Sequence, residues 1–191
     1  MCNWVSMRTN TDIILDTEFN SRAGGFRIEP ISFAMIRGDG SKEFYAVSDS
    51  FNQAAAKRHE FLVAKVLPKL PPKDQRISIP AIRQRMSDFL RDAAHDAQAN
   101  QMTIWAKNGG MGDFILLDLL FEGRFFEVMN SHGIERTYTK DTYDLFKQAG
   151  SPKLDIQIDP EVHHTAIGDV RHERKVWAAC QEIISAKATL G

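Results

Sequence analysis

The stretch that decides the interpretation of this chain runs from residue 12 to residue 20: Asp12-Ile13-Ile14-Leu15-Asp16-Thr17-Glu18-Phe19-Asn20. Its apolar residues predict a buried strand. Because side chains alternate across a strand, Asp16 and Glu18 point to the same side of it. Two anions a few Å apart repel each other, and a proton or a cation between them relieves that repulsion. Carboxylate oxygens suit Mg²⁺ and Mn²⁺, so the pair predicts a divalent metal site; the alternative is a strand end with two hydrated acids.

Length and composition favour one compact domain. The chain has 191 residues and a formal net charge of −1, so we predict a single domain over residues 1–191 with a core at about 12–187. This charge argues against a protein that coats polyanions in bulk, but it allows a local basic patch. Cys2 and Cys180 lack ligand spacing and are expected to be reduced thiols. With no apolar signal core and no long apolar run, we expect a cytoplasmic protein without a membrane segment.

The hydrophobic pattern predicts strands first and helices later. Three strands are expected, with a hairpin turn at 38–40 between the second and third: 12–19, Glu29–Arg37 and Glu43–Val47. A fourth short strand is expected at 103–106. Helices are predicted at 52–66, from residue 80 onward, and at 113–121, 125–130, 138–149 and about 166–186. For the helix at 138–149, a short strand is an alternative start. Glycine-rich turns are expected at 20–25 and 107–112. This order predicts an α/β fold, a mixed sheet with three antiparallel strands flanked by helices.

Two further acids and a histidine follow at wide spacing. Asp113 opens a helix after a glycine-rich turn. A carboxylate there is ordinarily a helix cap, but the preceding strand places this one near the edge of the sheet. Near the C-terminus His164 precedes Asp169, with small residues between them. Neutral histidine is suited to general-base catalysis near pH 7, whereas for His163 we expect a place on a surface loop.

Asp16-x-Glu18, Asp113 and His164-x-x-x-x-Asp169 resemble the three exonuclease motifs of the DEDDh group. That group belongs to the RNase T and proofreading-exonuclease superfamily, which has a ribonuclease H-like fold. Further segments resemble, more closely, the RNase AS-like 3′–5′ exoribonuclease family: residues 16–19, 31–32, 43–48, 66–72 and 104–106. The resemblance spans roughly residues 12 to 180. The turn at 108–112 and the segment 121–138 depart from the family pattern, so they leave the base preference open.

The resemblance implies a two-metal-ion exonuclease. Asp16, Glu18, Asp113 and Asp169 would bind two Mg²⁺ or Mn²⁺ ions, and His164 would take a proton from the attacking water. The implied products are nucleoside 5′-monophosphates released from the 3′ ends of single-stranded RNA, with adenylate-rich ends as a possible preference. The implied assembly is a homodimer.

Several residues near these motifs are candidate nucleic-acid contacts. Phe19 follows the first two acids and is placed either to stack on a terminal base or to pack in the core. The other candidates are polar or basic residues, of which Arg171 is nearest to a motif acid: Asn20, Lys107, Asn108, Arg171 and Arg174. Trp105 is expected in the core.

Three alternative functions use the same residues. A 3′–5′ DNA exonuclease, of phage or proofreading type, needs the same five positions, since RNA and DNA differ at the 2′-hydroxyl group. A non-catalytic nucleic-acid-binding protein on this scaffold normally has degraded motif acids, and here all are filled. A metal-dependent phosphodiesterase acting on short oligonucleotides is the third alternative.

Overall fold

A five-stranded mixed sheet with the strand order β3-β2-β1-β4-β5 forms the centre of the computed structural model, which describes residues 9–21, 28–109 and 112–190. The strands are β1 Asn10–Asn20, β2 Glu29–Arg37, β3 Glu43–Val47, β4 Gln101–Ala106 and β5 Arg136–Asp141. β1, β2 and β3 pair antiparallel, whereas β4 and β5 continue the sheet from β1 in parallel. The predicted α/β class, with an antiparallel first part of the sheet, is confirmed.

Helices cover both faces of the sheet. They are α1 Gln53–Ala56, α2 Ile79–Asp96, α3 Asp113–Leu120, α4 Phe125–Ser131, α5 Thr142–Gln148 and α6 Ala166–Leu190. On β1, Ile13 and Leu15 are fully buried in a cluster with residues of α2, α3 and α4. Ile14 points the other way, into a cluster with residues of α5 and α6. Asp16 and Glu18 share the alternation of Ile14, so they lie on the α6 side of the sheet.

The predicted helix at 52–66 is interrupted. α1 begins with the Asn52 side chain accepting a hydrogen bond from the backbone N–H of Ala55, and it ends at Ala56. After a turn the chain forms a π-helical segment, Leu62–Val66, whose buried Leu62 and Val66 pack in one cluster with Ile31 of β2. A continuous helix does not form because the chain turns back to bury these residues over β2.

The predicted helix at 138–149 begins later than expected, and its alternative start is correct. Arg136–Asp141 forms β5, pairing with β4, because β-branched and aromatic residues in this segment fit a pleated strand. The Asp141 side chain then caps α5 by accepting a hydrogen bond from Tyr143 N–H.

Other predictions have mixed outcomes. Trp105 is buried, and its indole N–H donates to Asp12 at 2.7 Å, which confirms its place in the core. Cys180 is a buried free thiol, whereas Cys2 lies outside the described residues. The predicted turns at 20–25 and 107–112 lie partly outside them. No helix in the described ranges combines the length and the apolar character needed to cross a bilayer.

Candidate active site

β1 carries its two acids near its C-terminal end. Its pairing with β4 runs from Asn10 to Ile14, whereas its pairing with β2 extends to Asn20. The second half of β1 therefore projects beyond its pairing with β4. β1 is the central strand, with β2 and β3 on one side and β4 and β5 on the other, so the strand order reverses between β1 and β4. Ligand sites of open α/β sheets lie at such positions. Asp16 and Glu18 lie on this projecting part.

The first turn of α6 brings Asp169 to the same place. One carboxylate oxygen each from Asp16, Glu18 and Asp169 lies within 4.8 Å of the others. α6 packs on β1 and β2, which fixes the position of Asp169 relative to the strand acids. The backbone N–H of His164 donates to both carboxylate oxygens of Asp169 at 3.2 Å and so orients this side chain.

Asp113 approaches from the other layer of the molecule. It is the first residue of α3 and is 8% exposed. Its carboxylate accepts a hydrogen bond of 2.6 Å from the hydroxyl of Thr17, the residue between the two strand acids. Its charge raises the pKa of both Asp16 and Glu18. The four predicted acids thus lie near one another. Carboxylate oxygens of three of them, Asp16, Glu18 and Asp169, are within 4.8 Å of each other.

The acids of this cluster strongly favour a cation. Burial, together with the charges of Asp113, Glu18 and Asp169, raises the pKa of Asp16 well above its ordinary value. Burial and the charges of Asp169 and Asp113 raise the pKa of Glu18 to about 8. Burial raises the pKa of Asp113 to about 6 against the opposing hydrogen bond from Thr17. Gathered carboxylates that hold protons this firmly are a donor set fitted to hard divalent cations.

His164 lies beside the acids on the turn before α6. Burial, reinforced by the charge of His163, lowers the pKa of His164. Its ring stacks on that of His163 with centroids 3.6 Å apart, and the ring of Phe61 meets it edge-on at 5.0 Å. The His164 backbone has φ of +63°, in the left-handed region. A neutral imidazole next to a cluster of acids is able to accept a proton.

Three neighbours of the cluster were missed from the sequence. The Lys69 ammonium group donates to the carbonyls of Pro160 and His163, at 2.9 and 2.5 Å, and opposes the rise in the pKa of Glu18. Phe61 and Lys69 lie about 100 residues from His164 in sequence, and no spacing signalled their approach. Glu173 is buried, and its charge raises the pKa of Asp16. Its position four residues after Asp169, one turn along α6, is the signal that could have identified it.

The predicted contacts on β1 are packed into the protein. Phe19 is half-buried and packs against the apolar cluster beneath α2 and α3. Its ring also covers Gly112, where a Cβ atom would lie 2.7 Å from it. Asn20 is fully buried. Phe19 was expected either to stack on a terminal base or to pack in the core, and its main contacts are with the core. A contact of Phe19 or Asn20 with a base stays a prediction.

The polar and basic candidates have different surroundings. Lys107 is exposed and lines a cavity of about 380 Å³ beside α5 and α6. Asn108 is exposed, and its backbone N–H donates to the Asp141 carboxylate at 3.1 Å. Arg171 forms an ion pair with Glu43 of β3, and Arg174 donates to the carbonyl of Gly38. Both arginines thus already have protein partners, whereas Lys107 borders open space.

Comparison with known proteins relates the chain to solved exonuclease structures. No family model matches the chain, and no curated protein matches it in sequence. Escherichia coli exonuclease I in complex with a dA16 oligonucleotide is similar in structure, with a TM-score of 0.60 and 14% identity; the match covers 94% of this chain and 43% of that one. Exonuclease I from Methylocaldum szegediense has a TM-score of 0.57 and 15% identity, over 90% of this chain and 40% of that one.

A zinc-bound form of the E. coli exonuclease I complex with single-stranded DNA is also similar, with a TM-score of 0.57 and 12% identity over 94% of this chain and 41% of that one. The chain spans about two fifths of the length of these structures. At such low identity the similarity shows the fold alone. The chain has the α/β ribonuclease H-like fold of these exonuclease I structures.

Proposed function

We propose that the chain is a metal-dependent 3′–5′ exonuclease that hydrolyses single-stranded nucleic acid. The observation that carries this proposal is the convergence of Asp16, Glu18 and Asp169 within 4.8 Å, with Asp113 and His164 beside them. Two further observations support the proposal: the fold is shared with exonuclease I, and the same residues make up the motifs that resemble those of DEDDh exonucleases.

Asp16, Glu18, Asp113 and Asp169 would bind two divalent ions, Mg²⁺ or Mn²⁺. When bound, such ions neutralise the charge of the phosphodiester and lower the pKa of a water nucleophile. The all-carboxylate donor set and the raised pKa values of its members support this assignment. Without cations, four carboxylates facing a phosphodiester would repel the substrate.

His164 would accept the proton of the attacking water. Burial lowers its pKa, which favours the neutral imidazole, the form able to accept a proton. Its backbone N–H binds Asp169, so one turn of chain fixes both the base and a metal ligand. The edge contact with Phe61 restricts the imidazole from the other side. Attack on the terminal phosphodiester then releases a nucleoside 5′-monophosphate.

We propose RNA as the substrate, with adenylate-rich 3′ ends, because the sequence segments resemble the RNase AS-like family. DNA is the second candidate, since the similar exonuclease I structures hold a dA16 oligonucleotide and single-stranded DNA. The two differ in the contact made to the 2′-hydroxyl group.

A homodimer in the cytoplasm is the proposed state of the protein. Exposed apolar side chains on α3 and α4 support an assembly that covers them: Ile115, Leu119 and Phe126. Light scattering tests this proposal directly, since a dimer doubles the 21.6 kDa mass of the chain. A monomeric mass at micromolar concentration would exclude it.

The substrate is tested with 5′-labelled single strands of RNA and DNA of identical sequence, ending in adenylate or mixed bases. With Mg²⁺ or Mn²⁺ we expect stepwise shortening from the 3′ end, faster on RNA. Faster shortening of DNA would reverse the RNA assignment in favour of the second candidate. No shortening of any strand with either ion would overturn the exonuclease proposal.

A further inference from the structure

A cavity of about 380 Å³ is lined by residues of α5, of α6 and of the extended segment 152–158 that connects them, together with Lys107. Sites for small molecules in proteins are clefts of roughly 300–1,000 Å³. The cavity is therefore large enough for one small molecule, such as a mononucleotide. Its lining residues include neither the four acids nor His164, so it is distinct from the acid cluster.

Two walls of the cavity are apolar. Tyr143 and Phe146 lie three residues apart on α5 and therefore share one face of this helix. The segment 152–158 alternates apolar and polar residues, and its half-buried Leu154 and Ile156 line the cavity. Aromatic and aliphatic side chains of this kind favour a planar ring system as the ligand.

The segment 152–158 is a wall that is able to adjust. Among the described residues, its backbone groups form no hydrogen bond with other backbone groups, whereas Ser151 and Asp159 on either side of it do. Leu154 holds the segment by packing in one cluster with residues of α5 and α6. A wall fixed by side-chain packing alone adapts to a ligand at lower cost than one fixed by backbone hydrogen bonds.

The polar groups of the cavity suit an anionic ligand. Two exposed lysines, Lys107 and Lys153, line it. Glu173 is the only acid among the described lining residues, and its carboxylate already accepts a hydrogen bond from the Thr142 hydroxyl. The Nδ1 atom of His172, another lining residue, is buried with no hydrogen-bond partner in the described part of the chain. An excess of positive charge and an unsatisfied polar atom favour a ligand with a charged, polar group.

The cavity adjoins the acid cluster through α6. Glu173 lies one turn after Asp169, and its charge raises the pKa of Asp16. We propose that the cavity is a binding site for a free nucleoside monophosphate, whose base packs among the apolar walls and whose phosphate is held by Lys107 and Lys153. The choice of a nucleotide among ring-bearing anions rests on the proposed function, because hydrolysis at the acid cluster would release nucleotides beside the cavity.

Binding is tested on the full chain by isothermal titration calorimetry with adenosine 5′-monophosphate (AMP) in chelator. Without cations the acid cluster repels a phosphate, so the titration reports on the cavity. Val176→Phe, which fills the cavity from α6, should weaken binding at least tenfold, and Lys153→Ala at least fivefold. Lys73→Ala, at an exposed lysine outside the cavity lining, is the matched control and should leave binding unchanged.

Two results of this titration would overturn the site. One is the absence of AMP binding to the wild type at millimolar concentration. The other is equal affinity of the wild type and Val176→Phe, with both folded by circular dichroism.

The two parts of the ligand are tested separately with adenosine and with inorganic phosphate. Each should bind at least tenfold more weakly than AMP, since the apolar walls recognise the ring and the lysines recognise the phosphate. Inorganic phosphate that binds as tightly as AMP would overturn the nucleotide assignment. So would a short single strand whose binding in chelator is lost in Val176→Phe while AMP does not bind.

The site and the proposed function fail in different measurements. Hydrolysis of single strands in Mg²⁺ by a chain that does not bind AMP would remove the site and leave the function. AMP binding that is lost in Val176→Phe would establish the site, even for a chain that hydrolyses no strand.

Discussion

Asp16 lies where its surroundings most oppose a negative charge. It is surrounded by the carboxylates of Asp113, Glu18, Asp169 and Glu173, all of which raise its pKa in addition to burial. A cation relieves this repulsion, and so does the removal of one carboxylate. Activity and stability therefore have opposite requirements at this residue.

Asp16→Asn should strongly reduce activity and stabilise the metal-free protein. We expect a loss of roughly 10³-fold in rate, because a bound ion contributes several kcal/mol to the transition state. We expect a higher melting temperature in chelator, since one repelling carboxylate is gone. Nucleotide release and thermal unfolding measure the two effects. Asp118→Asn, at an exposed carboxylate of α3, is the control and should change neither. Full activity of Asp16→Asn would refute the role of this residue.

The pH dependence of stability should reveal the same repulsion. The folded-state pKa values of Glu18 and Asp113, about 8 and about 6, exceed the ordinary values of 4.5 and 3.8. Protonation of these two groups therefore stabilises the metal-free protein, and the stabilisation is complete below about pH 4. It is lost in two steps as the pH rises, through about 6 for Asp113 and through about 8 for Glu18. Mg²⁺ replaces the protons, so the gain in melting temperature on adding Mg²⁺ should be larger at about pH 8.5 than at about pH 5.5. An equal gain at both values would contradict this account.

The strand pattern pointed to Asp16 and Glu18, with two hydrated acids as the alternative, and the resemblance to the exonuclease motifs added Asp113, His164 and Asp169. Neither predicted Phe61 or Lys69. Residues 66–72 resemble the exoribonuclease family, but only the packing of residues 61–69 against the turn before α6 makes Phe61 and Lys69 neighbours of His164. Glu173 was within reach of prediction, because its spacing from Asp169 places both on one face of a helix.

The junction between the His164 turn and α6 depends on Gly168. A Cβ atom at this position would lie 2.1 Å from the carbonyl oxygen of Val162, within the turn that carries His164. The clashing atom belongs to the Val162 backbone, which cannot move aside as the end of a flexible side chain could. The helix that supplies Asp169 and the turn that supplies His164 are thus held in direct contact.

Gly168→Ala should displace the turn and reduce activity by at least tenfold, with a loss of about 1–3 kcal/mol in the free energy of unfolding. Gly133→Ala is the matched control. Gly133 has φ of +80°, and a Cβ atom added there would meet nothing within 4 Å, so its substitution costs stability through backbone strain alone. Activity and denaturant unfolding should therefore separate the two variants. Equal activity would show that the contact does not position the site.

The π-helical segment Leu62–Val66 and the preceding Phe61 form the second support of His164. Phe61 is 44% exposed, yet it packs edge-on against the imidazole. Helical irregularities of this type occur frequently at functional sites. The predicted regular helix at 52–66 would not have directed Phe61 to this place.

Phe61→Ala should lower kcat roughly tenfold with little change in melting temperature, because the exposed ring contributes more to the placement of His164 than to the core. Val63→Ala is the control, at a side chain of the same segment with similar exposure, 43%. Steady-state kinetics and thermal unfolding measure both variants. A melting temperature that falls in proportion to activity would assign Phe61 a purely structural role.

At the scale of the whole molecule, the strand order accounts for the position of the site. The α/β class and the antiparallel first three strands were predictable, since their alternation and hairpin signals are local. The place of β5 beside β4 was not, because its polar, exposed side chains give little burial signal. In the order β3-β2-β1-β4-β5 the strand order reverses between β1 and β4, beside the strand that carries Asp16 and Glu18.

The proposed hydrolysis of single strands from the 3′ end by the acid cluster and divalent metal has a direct test. The products from a single strand with a blocked 5′ end are identified by mass spectrometry, with Mg²⁺ or Mn²⁺ and with chelator. We expect nucleoside 5′-monophosphates and a ladder of strands shortened at the 3′ end in the presence of metal, and neither in chelator. Nucleoside 3′-phosphates, undiminished product in chelator, or an intact strand with both ions would contradict it.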